Sequence, residues 1–297
     1  MNRKIVLVTG LLILTMLVAQ QILFPIGVGK KPPFSPDTSL PKQHNLVNGL
    51  PEADNESRVL KPVALSTLKE GWGFRKNGEH QIPEITTHQK SLVDKYGVYF
   101  VADTTSKGVV LTFDLGYEKG YTKQILDILH QHKSKAIFFV TGPWLKENPD
   151  LAKRMVKEGH IIGNHTWSHP SLPTVGKNQM QADIKRLEDK IVETTGQKLR
   201  VNYLRPPMGE YSEQTLHWTN DLGYKTVLWS IALKDWMPMG GADKAVTGVL
   251  DNLHNGAIIL LHGVSQDVTE GLDQILTQIT AQGYQIIPIN QVKPKKL

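Results

Sequence analysis

The sequence predicts an α/β fold, a distorted (β/α) barrel of about seven parallel strands in a single catalytic domain. From Gly108 onward, short apolar runs rich in β-branched and aromatic residues alternate with amphipathic helical stretches, a pattern typical of a parallel sheet. About seven strand signals occur, a number that suits a closed or nearly closed barrel better than an open sheet. The chain of 297 residues is also long enough to bury one full core.

Strands and helices are predicted in strict alternation. The predicted strands are VVLTF (109–113), AIFFV (136–140), HIIGN (160–164), VNYLR (201–205), KTVLWSIA (225–232), AIILLH (257–262) and YQIIPI (284–289). The predicted helices cover 122–132, 149–158, 179–195, 213–222, 242–254 and 268–282. Such an order indicates βαβ units.

Residues 1–28 predict a signal peptide or an N-terminal membrane anchor. Arg3 and Lys4 precede a long apolar run, and positive charge before such a run keeps the N-terminus inside and places the rest of the chain outside. Cleavage stays open, because Ala19 is small but Leu17 fits a small-x-small site poorly. The chain is therefore expected to be extracytoplasmic, either secreted or anchored to the membrane.

Two further segments precede the barrel. Residues 29–64 are rich in Pro, Ser, Asn and Lys, which predicts a flexible linker. Residues 65–106 contain several aromatic side chains, enough to pack as an N-terminal cap on the catalytic domain predicted at 107–290.

The amino-acid composition limits which metal ligands and which partners can be expected. The chain has no cysteine, so any metal must be bound by His and carboxylate side chains. The net charge is +6, but the basic residues are scattered and no aromatic-basic recognition motif occurs, so nucleic acid is not an expected partner. An anionic polymer of the cell envelope suits the charge and the predicted location.

The candidate catalytic residues share one position relative to the predicted strands. They are Asp114, His165, Arg205, Asp235 and His262, each at or just after the carboxyl end of a strand. Barrel enzymes build their active sites at this edge. One such Asp or His alone is more often structural, but five on one rim predict an active site.

Two histidines have the spacing of metal ligands. His165 and His169 lie four residues apart in HTWSH, which would place both imidazoles on one side of a helical turn. A divalent ion bound there, zinc or a similar metal, would polarise an amide carbonyl and activate water. The spacing alone is a weak signal.

The remaining polar residues suit acid–base catalysis of amide hydrolysis. Asp114 is available as the general base, and His262 suits the general acid because its ordinary pKa lies near working pH. Arg205 is expected to hold Asp114 in place, and Asp235 to hold His262.

Five motifs, taken together, resemble the polysaccharide deacetylases of the NodB-homology type. The motifs are TFDLG (112–116), HTWSH (165–169), RPP (205–207), DW (235–236) and LLH (260–262), in the order of that family. The resemblance spans roughly residues 107–290 and implies removal of an N-acetyl group in a barrel with fewer units than eight. It also implies that Trp236 and Leu260 line an acetyl pocket and that the backbone N–H of Met208 helps to hold the oxyanion.

Other stretches are most similar to the sporulation-type peptidoglycan N-acetylmuramic acid deacetylases. They include GWGF (71–74), EGHIIGNH (158–165), YLRPPMGEYSE (203–213) and LLHGVSQD (261–268). The similarity implies a peptidoglycan glycan strand as substrate and a contribution to muramic δ-lactam in spore cortex.

Two alternative functions stay open. One is a deacetylase of N-acetylglucosamine or chitooligosaccharide, and the other is a catalytically degenerate glycan-binding protein. A glycosidase, which needs paired carboxylates, would leave Arg205 and His262 without roles.

One residue departs from the family pattern. The usual motif is TFDDG, whose second Asp is a metal ligand, but Leu115 stands at that position. The resemblance therefore implies a divalent metal that is weakly held by His165 and His169.

Overall fold

A computed structural model describes residues 64–200 and 202–297. The predicted signal or anchor (1–28) and all but the last residue of the predicted linker (29–64) lie outside these residues. Within the described part, no helix combines the length and the apolar character needed to cross a bilayer.

From β3 onward, strands and helices alternate for most of the described chain, as expected from the sequence. The strands are β1 Glu70–Gly71, β2 Ala102–Asp103, β3 Gly108–Leu115, β4 Ala136–Val140, β5 Ile161–Asn164, β6 Asn202–Leu204, β7 Glu210–Tyr211, β8 Tyr224–Thr226, β9 Ile231–Ala232, β10 Ala257–His262, β11 Gln285–Ile286 and β12 Lys293–Pro294. The helices are α1 Thr87–Tyr96, α2 Thr122–Gln131, α3 Gly142–Glu147, α4 Pro149–Lys157, α5 Lys177–Thr195, α6 Glu213–Asp221, α7 Ala242–Leu250 and α8 Gln266–Ala281.

The central sheet confirms the predicted fold class. Among the described residues, seven parallel strands lie in the order β8-β6-β5-β4-β3-β10-β9, and β11 pairs with the start of β3. The two outer strands of this order, β8 and β9, belong to one stretch of chain. Val227 N–H donates to Leu204 O (2.8 Å) and Ser230 N–H donates to Ile258 O (3.0 Å). The sheet therefore curls into a distorted barrel that this stretch closes.

The predicted single strand at 225–232 is wrong, because β8 and β9 are separated by residues 227–230. This stretch pairs with β6 at its start and with β10 at its end, so it must turn between two partners. The last predicted strand, 284–289, shortens to β11 because Pro288 has no N–H to donate to a neighbouring strand.

Side chains alternate between the inside and the outside of the barrel, as strand geometry requires. On β3, Leu111, Phe113 and Leu115 belong to the core between the sheet and the helices, while Val110 belongs to the cluster inside the barrel. By the same alternation, Asp114 faces inward. The outer core thus fixes the strand that carries a candidate catalytic carboxylate.

Residues 65–106 contain elements that the sequence did not predict. Helix α1 begins at a capping box formed by Thr86 and Gln89, and β1 pairs antiparallel with β7. Phe100 and Tyr211 belong to one buried cluster against which Trp72 packs. This part of the chain lies against the loop that follows β6.

Candidate active site at the carboxyl edge of the barrel

Asp114 and His262 are neighbours at the carboxyl edge of the sheet. They pair in register between the parallel strands β3 and β10. Directly paired residues of adjacent strands project from the same face, so both side chains reach one pocket. Asp114 is 7% exposed, and both residues line the pocket.

Arg205 holds Asp114 from inside the barrel. Its Nη1 donates to Asp114 Oδ1 at 2.7 Å, its Nη2 to Thr112 Oγ1 at 2.9 Å, and its Nε to Val227 O at 3.2 Å. Burial works to raise the pKa of Asp114, but the positive charge and the hydrogen bond of Arg205, together with other charge interactions in the pocket, outweigh it and the pKa is lowered. Asp114 is therefore ionised at neutral pH.

His262 is held by Asp235. The imidazole Nδ1–H donates to Asp235 Oδ1 at 2.7 Å, and the backbone N–H donates to Asp235 Oδ2 at 2.8 Å. Burial works to lower the pKa of His262, but the hydrogen bond and charge of Asp235 outweigh it, and the pKa is raised. Because Nδ1 is engaged by Asp235, Nε2 is the nitrogen left to exchange a proton in the pocket.

His165 and His169 meet in the same pocket, but not on a helical turn as predicted. They lie in a loop after β5, where Thr166 (φ 65°) and His169 (φ 56°) adopt left-handed backbone conformations. Their Nε2 atoms are 3.2 Å apart. The left-handed residues fold the loop back on itself, which brings the imidazoles together without a helix.

Both imidazoles are uncharged, so each can offer the lone pair of a ring nitrogen to a metal ion. Burial lowers the pKa of His165 to about 4 and also lowers the pKa of His169. His165 Nδ1–H donates to Arg205 O at 2.8 Å, so its Nε2 carries the lone pair. Asp114 Oδ2 lies 3.6 Å from that atom, too far for a hydrogen bond.

The spacing of the Nε2 atoms of His165 and His169 fits two coordination positions of a divalent ion. Zinc–nitrogen bonds of about 2.0–2.1 Å put two tetrahedral ligands about 3.3 Å apart, close to the 3.2 Å between the Nε2 atoms. Within the described residues, no group of three or more His, Cys, Asp or Glu side chains is arranged to hold a metal. Leu115 packs in the outer core and supplies no ligand.

Helix α5 supports the histidine loop through Asp183. One carboxylate oxygen, Oδ2, accepts from Trp167 N–H (2.8 Å) and Ser168 N–H (3.1 Å), and Oδ1 accepts from Ser168 Oγ (2.8 Å). Thr166 Oγ1 accepts from His169 N–H at 3.0 Å. Sequence reasoning missed Asp183, because its separation from the loop carries no local signal.

The pocket is a cavity of about 670 Å³. Its wall includes three residues expected from the resemblance, Met208, Trp236 and Leu260. It also includes Tyr117, Trp167 and Trp229, which sequence reasoning did not select. Tyr117 and Trp236 are each about half exposed, so the mouth presents aromatic surface of the kind that sugar rings contact.

Comparison with known proteins places this barrel in a family. Residues 102–227 match the family described as "Polysaccharide deacetylase". A structure of Bacillus subtilis PdaA, described as a family 4 carbohydrate esterase, superposes with a TM-score of 0.74 at 40% identity over 77% of this chain and 98% of that one. The chain belongs to the polysaccharide deacetylase family.

Two relatives differ in the sugar that their names state. The Bacillus subtilis peptidoglycan-N-acetylmuramic acid deacetylase PdaA is 41% identical over 76% of this chain and 86% of its own length. A Bacillus cereus peptidoglycan-N-acetylglucosamine deacetylase is 35% identical over 67% of this chain and 73% of its own length. The predicted family is thereby confirmed.

Proposed function

We propose that this chain hydrolyses the N-acetyl group of an amino sugar in peptidoglycan, N-acetylmuramic acid in preference to N-acetylglucosamine. The observation that carries the proposal is the pairing of Asp114 and His262 in register on adjacent strands. Their environments shift their pKa values in opposite directions, the arrangement that lets one group act as base and the other as acid.

Asp114 and His262 divide the proton transfers. Asp114 takes a proton from water as the water oxygen attacks the acetyl carbon. His262 gives its Nε2 proton to the amide nitrogen, the C–N bond breaks, and acetate and a free amine leave. The protonation of the nitrogen is essential because an amide anion is too poor a leaving group.

The other pocket residues hold these groups and the substrate. Arg205 keeps Asp114 ionised and oriented, and Asp235 does the same for protonated His262. Leu260 and Trp236 offer apolar surface to the acetyl methyl group, and the N–H of Met208 stabilises the oxygen that becomes negative.

His165 and His169 would hold a divalent cation. When bound, such an ion supplies positive charge that polarises the acetyl carbonyl. Binding is expected to be weak and exchangeable, because two imidazoles are the only protein ligands proposed and Leu115 packs outside the pocket.

The preference for muramic acid is supported by the similarity to the relative named for that sugar, which extends over 76% of this chain. De-N-acetylation leaves a free amine beside the lactyl group of muramic acid. The product suits formation of muramic δ-lactam, and the proposal accordingly includes a role in spore cortex.

The proposed site of action is outside the cytoplasm. Residues 1–28 would export the chain or anchor it in the membrane, and residues 29–64 would be a flexible linker between that segment and the folded domain. The cap (65–106) and the catalytic domain (107–290) would together form the folded enzyme.

Leu115 favours one alternative, a glycan-binding protein without activity. The packing of its side chain in the outer core leaves the metal pair without the family's third ligand. Against this alternative, a binding protein has no need of an ionised Asp114 and a protonatable His262 at the same pocket.

The test is to incubate the protein with purified peptidoglycan and to measure free acetate and new reducing ends. Mass spectrometry of the digested glycan then identifies the deacetylated sugar. The proposal expects acetate with muramic acid as the product, and the Asp114→Asn variant serves as the blank. Reducing ends without acetate would indicate a glycosidase, and binding with neither product would indicate the inactive glycan-binding protein.

A further inference from the structure

Residues 66–75, which we call the strap, contain the GWGF motif and have no part in the reaction proposed above. The strap lies across the corner formed by residues 207–211. Its links to the corner and to the adjacent start of α6 are the β1–β7 pairing, Trp72 N–H to Gly209 O (2.8 Å), Gln214 N–H to Ser66 O (3.0 Å) and Lys69 Nζ to Glu210 Oε1 (2.9 Å). A segment that merely covered the surface would not need hydrogen bonds along its whole length.

The corner itself is conformationally demanding. Met208 has φ 58°, a left-handed conformation that is uncommon outside glycine. Gly209 has φ 65°, and a Cβ there would lie 2.7 Å from Trp229 Cη2 and 3.3 Å from Trp72 Cβ. Gly209 is thus enclosed between two tryptophans, and both corner residues line the pocket.

Trp72 reaches the pocket wall from behind through two donors. Its backbone N–H binds Gly209 O, and its indole N–H donates to Trp229 O at 2.9 Å. Trp229 lines the pocket, and its ring centroid lies 5.6 Å from the guanidinium carbon of Arg205. Trp72 itself does not line the pocket, since its ring packs edge-on against Phe100 at 5.2 Å.

We propose that the strap is a positioning element of the catalytic centre, in which Trp72 fixes the Met208–Gly209 corner and Trp229 together. The inference rests on the proposed deacetylation, in which the Met208 N–H faces the developing negative charge. Donors to such a charge act only when held close to one geometry. Loosening the corner should therefore lower kcat, whereas KM, which depends on contacts with the sugar, should change little.

The matched variants are Trp72→Phe and Trp218→Phe in the full chain. Phenylalanine at 72 keeps an aromatic ring against Phe100 but removes the bond to Trp229 O. Trp218 lies on α6 and packs against a different core cluster, so it makes the same chemical change away from the pocket. We expect Trp72→Phe to lower kcat about tenfold or more, with KM within about twofold of wild type. Equal kcat in the two variants would overturn the proposal, as would a loss that merely follows a lowered Tm.

Hydrogen exchange separates this inference from the proposed function. We expect the amides of residues 208–211 to exchange faster in Trp72→Phe than in Trp218→Phe, whether or not the wild type releases acetate. If the wild type has no deacetylase activity, the proposed function is wrong. The exchange result would still decide whether the strap positions the corner. Unchanged exchange at the corner would overturn the proposal.

Discussion

Arg205 is a fully buried charge, and its three hydrogen bonds to Asp114, Thr112 and Val227 explain how the barrel tolerates it. A buried guanidinium is costly unless its donors and its charge are both matched. The match holds the carboxylate and the strand ends in one arrangement. Arg205 therefore serves both the stability of the barrel and the ionised state of Asp114.

Replacing Arg205 should destabilise the protein strongly. Arg205→Ala leaves Asp114 buried without a counter-charge, which typically costs about 3–5 kcal/mol. Denaturant unfolding of the wild type and the variant measures the difference. A change below about 1 kcal/mol, the size usual for exposed pairs, would contradict this account of the pair.

The lowered pKa of Asp114 gives the wild type a characteristic acid sensitivity. The carboxyl contributes stability fully above its unfolded pKa of about 3.9, and that stability is lost as the pH falls through the lowered folded value. In Arg205→Ala this contribution should disappear. The free energy of unfolding measured between neutral and acid pH tests the difference in slope.

Asp235 should set the alkaline limit of activity through His262. Asp235→Asn removes the charge that raises the pKa of His262, so the imidazole loses its proton at a lower pH. We expect the alkaline limb of kcat/KM to move to lower pH. Asp273→Asn is the control, because Asp273 makes a 2.7 Å contact with His132 at the surface. If the alkaline limbs of the kcat/KM profiles of the wild type and Asp235→Asn coincide, His262 is excluded as the general acid.

At the scale of elements, α5 determines the shape of the histidine loop. Asp183→Ala removes three hydrogen bonds from residues 167–168 and should let the imidazoles separate. We expect metal affinity, measured by calorimetry with Zn²⁺, to fall about 10–100-fold. Asp189→Ala on the same helix is the control, because Asp189 is exposed and pairs with Lys185 rather than with the histidine loop. Equal affinities for the two variants would contradict this role of Asp183.

Elements buried on both faces could be predicted from the sequence. The runs at 136–140 and 257–262 match β4 and β10 residue for residue, because parallel strands covered on both sides are continuous apolar segments. Helices α1 and α3 were missed, since α3 is only six residues long and α1 is mostly polar. Their positions depend on packing against distant parts of the chain.

Candidate residues were easier to predict than their conformations. The sequence pointed to His165 and His169, but the helical turn was wrong because Asp183 and two left-handed residues shape the loop. Trp229 was hidden inside a predicted strand, although it lies where that strand is interrupted and its ring reaches the pocket. Local sequence patterns indicate which residues have suitable chemistry, whereas long-range contacts determine the geometry in which these residues are held.

At the scale of the whole molecule, closure of the barrel brings the site together. The stretch 224–232 joins β6 to β10, and these strands carry Arg205 and His262 at the same edge. Only the curled sheet places Arg205, which follows β6, beside Asp114 on β3, because strands β5 and β4 lie between β6 and β3 in the sheet. The number of strand signals predicted the curl, but not which segment would close it.

In the proposed reaction, Asp114 and His262 act as base and acid on one acetyl group. The most direct measurement is the rate of acetate release from peptidoglycan by Asp114→Asn, His262→Ala and the control His132→Ala, whose surface His–Asp contact has the same 2.7 Å length. We expect losses of about 10²–10⁴-fold for the first two variants and a rate near wild type for the control. Wild-type acetate release by either Asp114→Asn or His262→Ala would contradict these roles.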